Sequence, residues 1–245
     1  MQGMSSTYTI DWDALNDAPE RARTFKRVTP LGEVWFKRAE KDFRNKLQVL
    51  LDRHTASASE QQEEEIACIQ AVARRGFLVP EVLHVAPDYM VLSDIGPSLH
   101  QLMHKAEAET RRRLTARAAA LLQTLHESAG WHGNAVLRNM VDHNNEQIGL
   151  IDFERTARPG WSLARKQSYD LWQLLYSTAR FDRTGTLARH ALQSYGDGPA
   201  RRRLRWFSLL ALPVALPFVP FQEIMKRDFA QIVVTIYSIM YNWIY

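Results

Sequence analysis

Residues 131–140 read Trp-His-Gly-Asn-Ala-Val-Leu-Arg-Asn-Met, and residues 148–154 read Ile-Gly-Leu-Ile-Asp-Phe-Glu. The first stretch begins with polar residues and a glycine, which predicts a loop. Apolar residues on either side of the turn-prone residues 142–145 predict a short hairpin that returns the chain. The sequence therefore predicts that the loop and the end of the hairpin's second strand bring polar side chains together, namely those of His132, Asn134, Asn139 and Asp152.

These residue types suit phosphoryl transfer. That reaction needs a residue that orients the acceptor hydroxyl and oxygen ligands that hold Mg²⁺ on the nucleotide phosphates. Asn134 and Asn139 come from one loop, and Asp152 follows the second strand. In residue type and order the stretch resembles the kinase-like phosphotransferases, which include aminoglycoside and other small-molecule kinases. The closer resemblance is to the bacterial lipopolysaccharide core kinases, which phosphorylate Kdo or heptose.

The resemblance implies a role for each residue of the loop and hairpin. Asn139 and Asp152 correspond to the Asn and Asp that bind the metal in these families. His132 corresponds to the loop histidine that orders the backbone, and Asn134 stands where the families carry the catalytic Asp. ATP and Mg²⁺ are the cofactors so implied, and a lipopolysaccharide core sugar is the implied acceptor.

A lysine upstream extends the resemblance. Lys37 ends the β-like run Val-Trp-Phe-Lys, where kinases place the lysine that grips the α- and β-phosphates. Arg38 and Lys41 are competitors for this role. The following helix carries three glutamates that are candidate partners of the lysine: Glu63, Glu64 and Glu65. Counting back from the end of the helix, Glu65 aligns best with the phosphotransferases that the sequence resembles, and the other two remain open.

Two further segments have counterparts in kinases. Residues 90–96, Met-Val-Leu-Ser-Asp-Ile-Gly, resemble the hinge strand that borders the adenine. Asp170 resembles the buried Asp that braces the catalytic loop from a helix of the C-terminal lobe. Because residues from Tyr169 onward look helical, Asp170 is alternatively an ordinary N-terminal cap.

The order of predicted elements favours a bilobal α+β fold. Residues 1–97 form a small β-rich lobe with one helix that ends at Gly76, and residues 98–245 form a mostly helical lobe. In the first lobe, strands are predicted at 24–28, 33–38, 79–83 and 89–92. In the second, residues 107–126 form a helix.

Two departures from the kinase pattern bear on function. No G-x-G-x-x-G precedes Lys37, so a phosphate-covering loop must be built differently. Asn134 cannot accept the substrate proton, although its amide can still hydrogen-bond a hydroxyl. The leading hypothesis is an ATP-dependent kinase for a sugar hydroxyl. The alternative is a pseudokinase-type module that binds nucleotide or a partner. A third possible function is a kinase for an amino-alcohol or antibiotic, and the basic character of the C-terminal half argues against it.

The composition of the chain limits the classes of binding partner that we expect. The chain of 245 residues has a net charge of +4 and a pI near 9.3, and part of its positive charge lies in the arginine runs at 111–113 and 201–205. No aromatic-interleaved basic stripe accompanies them, so we predict no nucleic-acid partner. The single cysteine, Cys68, excludes an internal disulfide and lies in an apolar-periodic run, which predicts a buried structural thiol.

The two ends of the chain bear on localisation. The first twenty residues lack a basic start followed by an apolar stretch, so a cytoplasmic protein is predicted. Residues 206–221 are apolar but short and contain three prolines, which excludes a spanning helix. The segment is either buried core, the default interpretation, or peripheral at the inner face of a bacterial inner membrane, with arginines 201–205 at anionic headgroups. Aromatic residues near the C-terminus suit both interpretations: Tyr237, Tyr241, Trp243 and Tyr245.

Overall fold

The computed structural model describes residues 10–17, 22–39, 58–153, 160–215, 217–218 and 227–244. The described residues divide into two units. The first comprises those within Met1–Gln70 and Pro80–Asp94, and the second those within Ala71–Val79 and Ile95–Tyr245. The sequence placed a single boundary after residue 97. The segment 71–79 instead goes with the second unit, where the Leu150 N–H donates to the Leu78 carbonyl at 2.9 Å.

An antiparallel sheet organises the first unit. Its strands are β1 (Thr24–Thr29), β2 (Gly32–Arg38), β3 (Val82–Val85) and β4 (Tyr89–Ser93), arranged in the order β1-β2-β4-β3. The predicted hairpin is confirmed, because Thr29 pairs with Gly32 across the two residues Pro30 and Leu31. The predicted strands at 79–83 and 89–92 correspond to β3 and β4, with β3 beginning and ending two to three residues later.

The β2 strand presents different chemistry on its two faces. Val34 and Phe36 are fully buried in an apolar cluster with Tyr89 and Val91 of β4. Phe25 of β1 stacks on Phe36 at 5.0 Å between ring centroids. Because successive side chains of a strand alternate between faces, the neighbouring lysine at position 37 lies on the opposite face from this cluster.

One helix precedes β1 in the chain, and a second lies between β2 and β3. α1 (Trp12–Leu15) packs Trp12 against Phe36 at 6.2 Å between ring centroids. α2 (Ala58–Ala73) is the predicted helix, and the chain leaves it through Gly76, whose φ of +83° suits glycine. Cys68 is buried in α2, as its place in the apolar run predicted.

The second unit begins with two helices and a hairpin. α3 (Leu99–Lys105) starts at a Ser98 capping box, and α4 (Ala108–Glu127) follows. β5 (Met140–His143) pairs antiparallel with β6 (Gln147–Leu150), as predicted. Asn144 and Asn145 both have positive φ angles, which a tight turn between two strands favours and asparagine tolerates.

Four helices complete the second unit: α5 (Leu163–Thr178), α6 (Thr186–Tyr195), α7 (Pro199–Ala215) and α8 (Arg227–Ile244). α4 packs on α6, α5 on α7, and α8 on both α6 and α7. α7 continues through Pro213, which the sequence had treated as a breaker. Within the described ranges, no helix is both long enough and apolar enough to cross a membrane.

The coarse prediction of fold class is confirmed. The structure is mixed α+β, with a small antiparallel sheet in the first unit and a mostly helical second unit.

Candidate functional site

The loop of residues 131–139 is shaped by its glycine. Gly133 has a φ of +96°, a conformation that residues with a side chain rarely adopt. The loop then enters a single 3₁₀ turn, Leu137–Asn139, which leads directly into β5. Leu137 and Ala135 are fully buried, and they anchor the loop among the helices. The polar residues on either side of these anchors are therefore held at fixed positions.

A buried carboxylate on α5 holds the start of this loop. Asp170 Oδ2 accepts from the His132 backbone N–H at 2.6 Å, and Oδ1 accepts from the Gly133 N–H at 2.8 Å. The interpretation of Asp170 as a helix N-cap is wrong, because α5 begins at Leu163 and Ser162 caps it. Asp170 lies in the middle of α5, is fully buried and is bonded to the loop backbone.

Asp170 belongs to a polar row along one face of α5. Gln167 Nε2 donates to the carbonyls of His126 and Gly130, and Gln173 Oε1 accepts from the Ala135 N–H at 3.1 Å. Ser177 Oγ accepts from the Leu137 N–H at 3.1 Å. Residues three and four apart share a helix face, so one helix bonds the loop backbone at successive points.

The histidine of the loop is buried and oriented by two hydrogen bonds. His132 Nδ1 accepts from the Asn134 N–H at 3.1 Å, so Nε2 carries the proton and donates to the Ile151 carbonyl at 3.1 Å. The ring stacks on Phe153 at 4.7 Å between centroids. Burial lowers the pKa of His132, against the opposing charges of Asp170 and Asp152. His132 is thus a neutral link between the loop and the hairpin's end.

Asn139 joins the loop to the residue before Asp152. Asn139 Nδ2 donates to the Asn134 carbonyl at 2.9 Å, and the Asn139 carbonyl accepts from the Ile151 N–H at 3.0 Å. Asp152 itself has a φ of +61°, which is uncommon for a residue other than glycine. Such a conformation persists where its surroundings impose it, and it occurs often at functional sites.

The oxygen donors in this region fit a hard divalent cation. Since the Asn139 amide nitrogen is used within the loop, its Oδ1 remains as an acceptor, and Asp152 adds a carboxylate directly after Ile151, whose N–H bonds the Asn139 carbonyl. Mg²⁺ prefers oxygen ligands and is commonly held by one or two carboxylates together with substrate phosphates. Among the described residues no group of three or more His, Cys, Asp or Glu side chains could hold a metal alone. The oxygen donors that Asn139 and Asp152 offer are of the kind that Mg²⁺ takes.

Asn134 is largely buried, with 8% of its surface exposed. Its backbone is fixed on both sides, since its N–H donates to His132 and its carbonyl accepts from Asn139. Its side-chain amide has no hydrogen-bond partner among the residues that the structure describes. The amide is therefore available to a hydroxyl of a bound molecule.

The first unit contains a buried ion pair. Lys37 Nζ lies 2.7 Å from Glu65 Oε1, with 10% and 8% of the two side chains exposed. Glu63 and Glu64 are exposed, so the choice among the three glutamates falls on Glu65. Arg38 instead donates to the side chain and carbonyl of Asn16. The other competitor, Lys41, lies outside the described residues, as does Glu154.

Two residues that the sequence did not single out support Asp170. His126 Nε2 lies 3.3 Å from Asp170 Oδ2, and His126 Nδ1 lies 2.5 Å from the Tyr195 hydroxyl. Because the carboxylate only accepts, His126 Nε2 donates to it and Nδ1 accepts from Tyr195. Burial raises the pKa of Tyr195, as do the charges of Asp170 and Glu127, so the phenol keeps its proton.

A signal for part of this network was present in the sequence. Gln167, Asp170, Gln173 and Ser177 recur at spacings of three, three and four, which predicts a polar row on one face of a helix. His126 and Tyr195 had no such signal, because their contact joins the end of α4 to the end of α6.

No protein-family model and no curated protein matches this chain.

Proposed function

We propose that the chain has a protein-kinase-like fold and is a phosphotransferase. In this proposal it transfers the γ-phosphoryl group of ATP, with Mg²⁺, to a sugar hydroxyl. The acceptor proposed is Kdo or heptose of a lipopolysaccharide core, and this part rests on the resemblance of residues 131–154 alone.

The observation that carries the proposal is the way Asp170 holds the loop. Its carboxylate accepts from two consecutive backbone N–H groups, those of His132 and Gly133. The loop then supplies Asn134 and Asn139 in fixed positions, and the hairpin returns Asp152 next to the residue bonded to Asn139. Catalysis of phosphoryl transfer is mainly positioning and electrostatic stabilisation, which such a rigid polar loop suits.

Each polar group has a role in this proposal. Asn139 and Asp152 would hold Mg²⁺, which when bound neutralises charge on the β- and γ-phosphates. Lys37, oriented by Glu65, would contact the nucleotide phosphates. Asn134 would orient the acceptor hydroxyl through its amide, and His132 would keep the loop and the hairpin's end in register.

A thermal-shift titration of the full chain tests nucleotide and metal binding. ATP with Mg²⁺ at about 100 times its Kd should add about 2.7 kcal/mol of stability and raise the melting temperature by several degrees. Asp152→Ala should abolish the Mg²⁺-dependent part of the shift. Glu146→Ala, which removes an exposed acid from the turn of the same hairpin, is the matched control and should behave like wild type. Absence of any Mg²⁺-dependent shift in the wild type would overturn the proposal.

Transfer of labelled phosphate from ATP to purified core oligosaccharide tests the acceptor. Wild type should label the oligosaccharide, and Lys37→Met should not. Labelling of an aminoglycoside or a small amino-alcohol in place of the oligosaccharide would move the acceptor to another class.

Asn134 favours a second candidate, a pseudokinase-type nucleotide-binding module. An amide cannot take the hydroxyl proton, and general-base assistance typically contributes about 10²–10⁴-fold. Asn134→Asp separates the candidates, because its backbone bonds do not depend on the side chain. If the variant labels an acceptor that wild type ignores, the binding module is the better description. If wild type is active and Asn134→Asp changes the rate only modestly, the chain is better described as an enzyme.

A further inference from the structure

Helix α7 (Pro199–Ala215) has one buried face and one exposed apolar face. Leu204, Ser208 and Ala215 are buried against the rest of the second unit. On the other side, Trp206 is 69% exposed and Leu210 is 79% exposed. Val214, four residues after Leu210, is 70% exposed. Phe207, next to Trp206, is 57% exposed. Residues 206–221 were predicted by default to be buried core, and within α7 this is correct for only one face of the helix.

Two arginines extend the exposed face at its N-terminal end. Arg202 and Arg203 are exposed, and they lie one turn before Trp206 and Phe207 respectively, at four-residue spacing on the same side of the helix. Neither arginine has an ion-pair partner among the described residues. Asp197, an acid near this end, is already engaged, because it lies 3.6 Å from Arg201 and 3.3 Å from Arg205. The face thus combines large apolar side chains with uncompensated positive charge.

Further exposed apolar side chains follow α7 in the chain. Phe218 and Phe229 are 40% and 42% exposed and touch each other edge to face, at 5.3 Å between ring centroids. Ile232, one turn further along α8, is also exposed. Residues 216, 219–221 and the side chain of Leu212 in the same apolar segment lie outside the described residues, as do the side chains of Trp243 and Tyr245. Exposed apolar side chains that form contiguous patches mark interaction surfaces, whereas isolated ones need no explanation.

We propose that the exposed face of α7, formed by Arg202, Arg203, Trp206, Leu210 and Val214, is a docking surface for an anionic lipid bilayer. Helices that lie in the membrane interface carry Lys or Arg on their polar side and Trp, Phe or Leu on the other, and they do not span the bilayer. From Arg203 to Val214 the helix rises about 17 Å. Lying flat, it places Trp206, Leu210 and Val214 at the boundary between headgroups and acyl chains, with the arginines at the headgroups.

Charge decides between a bilayer and a second copy of the chain. An isologous contact between two such faces would bury arginines without supplying carboxylates, because the described residues of the face include none. Anionic headgroups supply that negative charge. This inference does not rest on the proposed transfer reaction. Vesicle binding is measured without nucleotide, and nucleotide binding is measured without vesicles, so either can fail alone.

Vesicle co-sedimentation of the full chain tests the surface. Wild type should pellet with vesicles of phosphatidylglycerol and phosphatidylcholine, and much less with phosphatidylcholine alone. Trp206→Ser with Leu210→Ser should weaken binding by about tenfold or more. Arg202→Gln with Arg203→Gln should weaken it by about fivefold per arginine, and added salt should remove this difference.

The matched control is Val28→Ser with Leu31→Ser. These residues are 79% and 63% exposed on the β1–β2 hairpin, so the change removes a similar exposed apolar surface elsewhere. This control should bind vesicles like wild type. Equal loss in both double variants, or undiminished binding of the Trp206 and Leu210 variant, would overturn the proposal. So would a wild-type dimer that this variant converts to monomer while vesicle binding stays unchanged, because a second copy would then be the occupant.

Discussion

The two buried polar arrangements in this protein are built in opposite ways. In the first unit, Lys37 and Glu65 form a pair of charged side chains at 2.7 Å. In the second unit, Asp170 holds the loop through two backbone N–H groups, those of His132 and Gly133. The pair depends on the identity of both partners. The loop depends on the identity of Asp170 and its helix neighbours, and not on most of the side chains that it displays.

In the proposed kinase-like fold Asn134 stands where a catalytic carboxylate is expected, and this difference explains how the loop keeps its course with an amide there. Hydrogen bonds from α5 set the backbone course of the loop. A substitution at position 134 therefore alters the chemistry that the loop offers while its backbone geometry stays the same. A change at Lys37 or Glu65 instead leaves a buried charge without its partner, which is costly. Substitutions in the two regions should therefore differ in both size and additivity.

Asp170→Ala should have the largest effect. It removes the acceptor of the buried His132 and Gly133 N–H groups, at about 1–3 kcal/mol each, so the free energy of unfolding should fall by about 4 kcal/mol. Chemical denaturation of the full chain measures this loss. Asp170→Asn keeps one acceptor oxygen and should lose about half as much. Equal effects of the two substitutions would show that the negative charge, and not the backbone bonds, holds the loop.

Lys37→Met should cost about 3 kcal/mol, because it removes the cation that lies 2.7 Å from the buried Glu65 carboxylate. The double variant Lys37→Met with Glu65→Leu should recover most of that loss, since two apolar side chains remove the desolvation penalty altogether. Glu33→Gln, in the exposed contact with Lys26, is the control and should change stability by less than about 0.5 kcal/mol. Strictly additive losses in the double variant would contradict a coupled pair.

The contrast also shows which features could be read from the sequence. Local patterns predicted both hairpins, α2 and the composition of the two units, because alternation, turn residues and helical spacing are written in neighbouring residues. The pairing of Lys37 with Glu65 was one of three choices, and burial decided it. The start of α5 was placed six residues late, since Ser162, its cap, lies in a stretch without strong apolar periodicity. Contacts between distant helix ends, such as His126 with Tyr195, have no local signature.

Tyr195→Phe tests how far the support of the loop extends. The hydroxyl donates to His126, which in turn donates to Asp170, so its loss should leave a buried ring nitrogen unpaired and cost about 1.5 kcal/mol. Tyr237→Phe is the control, because the Tyr237 hydroxyl has no hydrogen-bond partner among the described residues. Should the two phenylalanine variants unfold at the same denaturant concentration, the contribution of Tyr195 would be packing alone.

The smallest effect should come from pH. Burial lowers the pKa of His132 below its unfolded value of about 6.5, so the unfolded chain binds a proton more readily than the folded one. This contribution to stability is complete above pH 6.5 and is lost as the pH falls towards the folded pKa. The slope is at most about 1.4 kcal/mol per pH unit, and the loss between pH 7.5 and 5.5 should be about 1 kcal/mol.

His132→Gln keeps an acceptor and a donor but cannot titrate, so its melting temperature should vary less with pH over this window than that of wild type. His190→Gln, at a partly exposed position on α6, should leave the wild-type pH dependence intact. A pH dependence that survives His132→Gln would assign the titration to another buried group, and the loop histidine would then not be the neutral link between loop and hairpin.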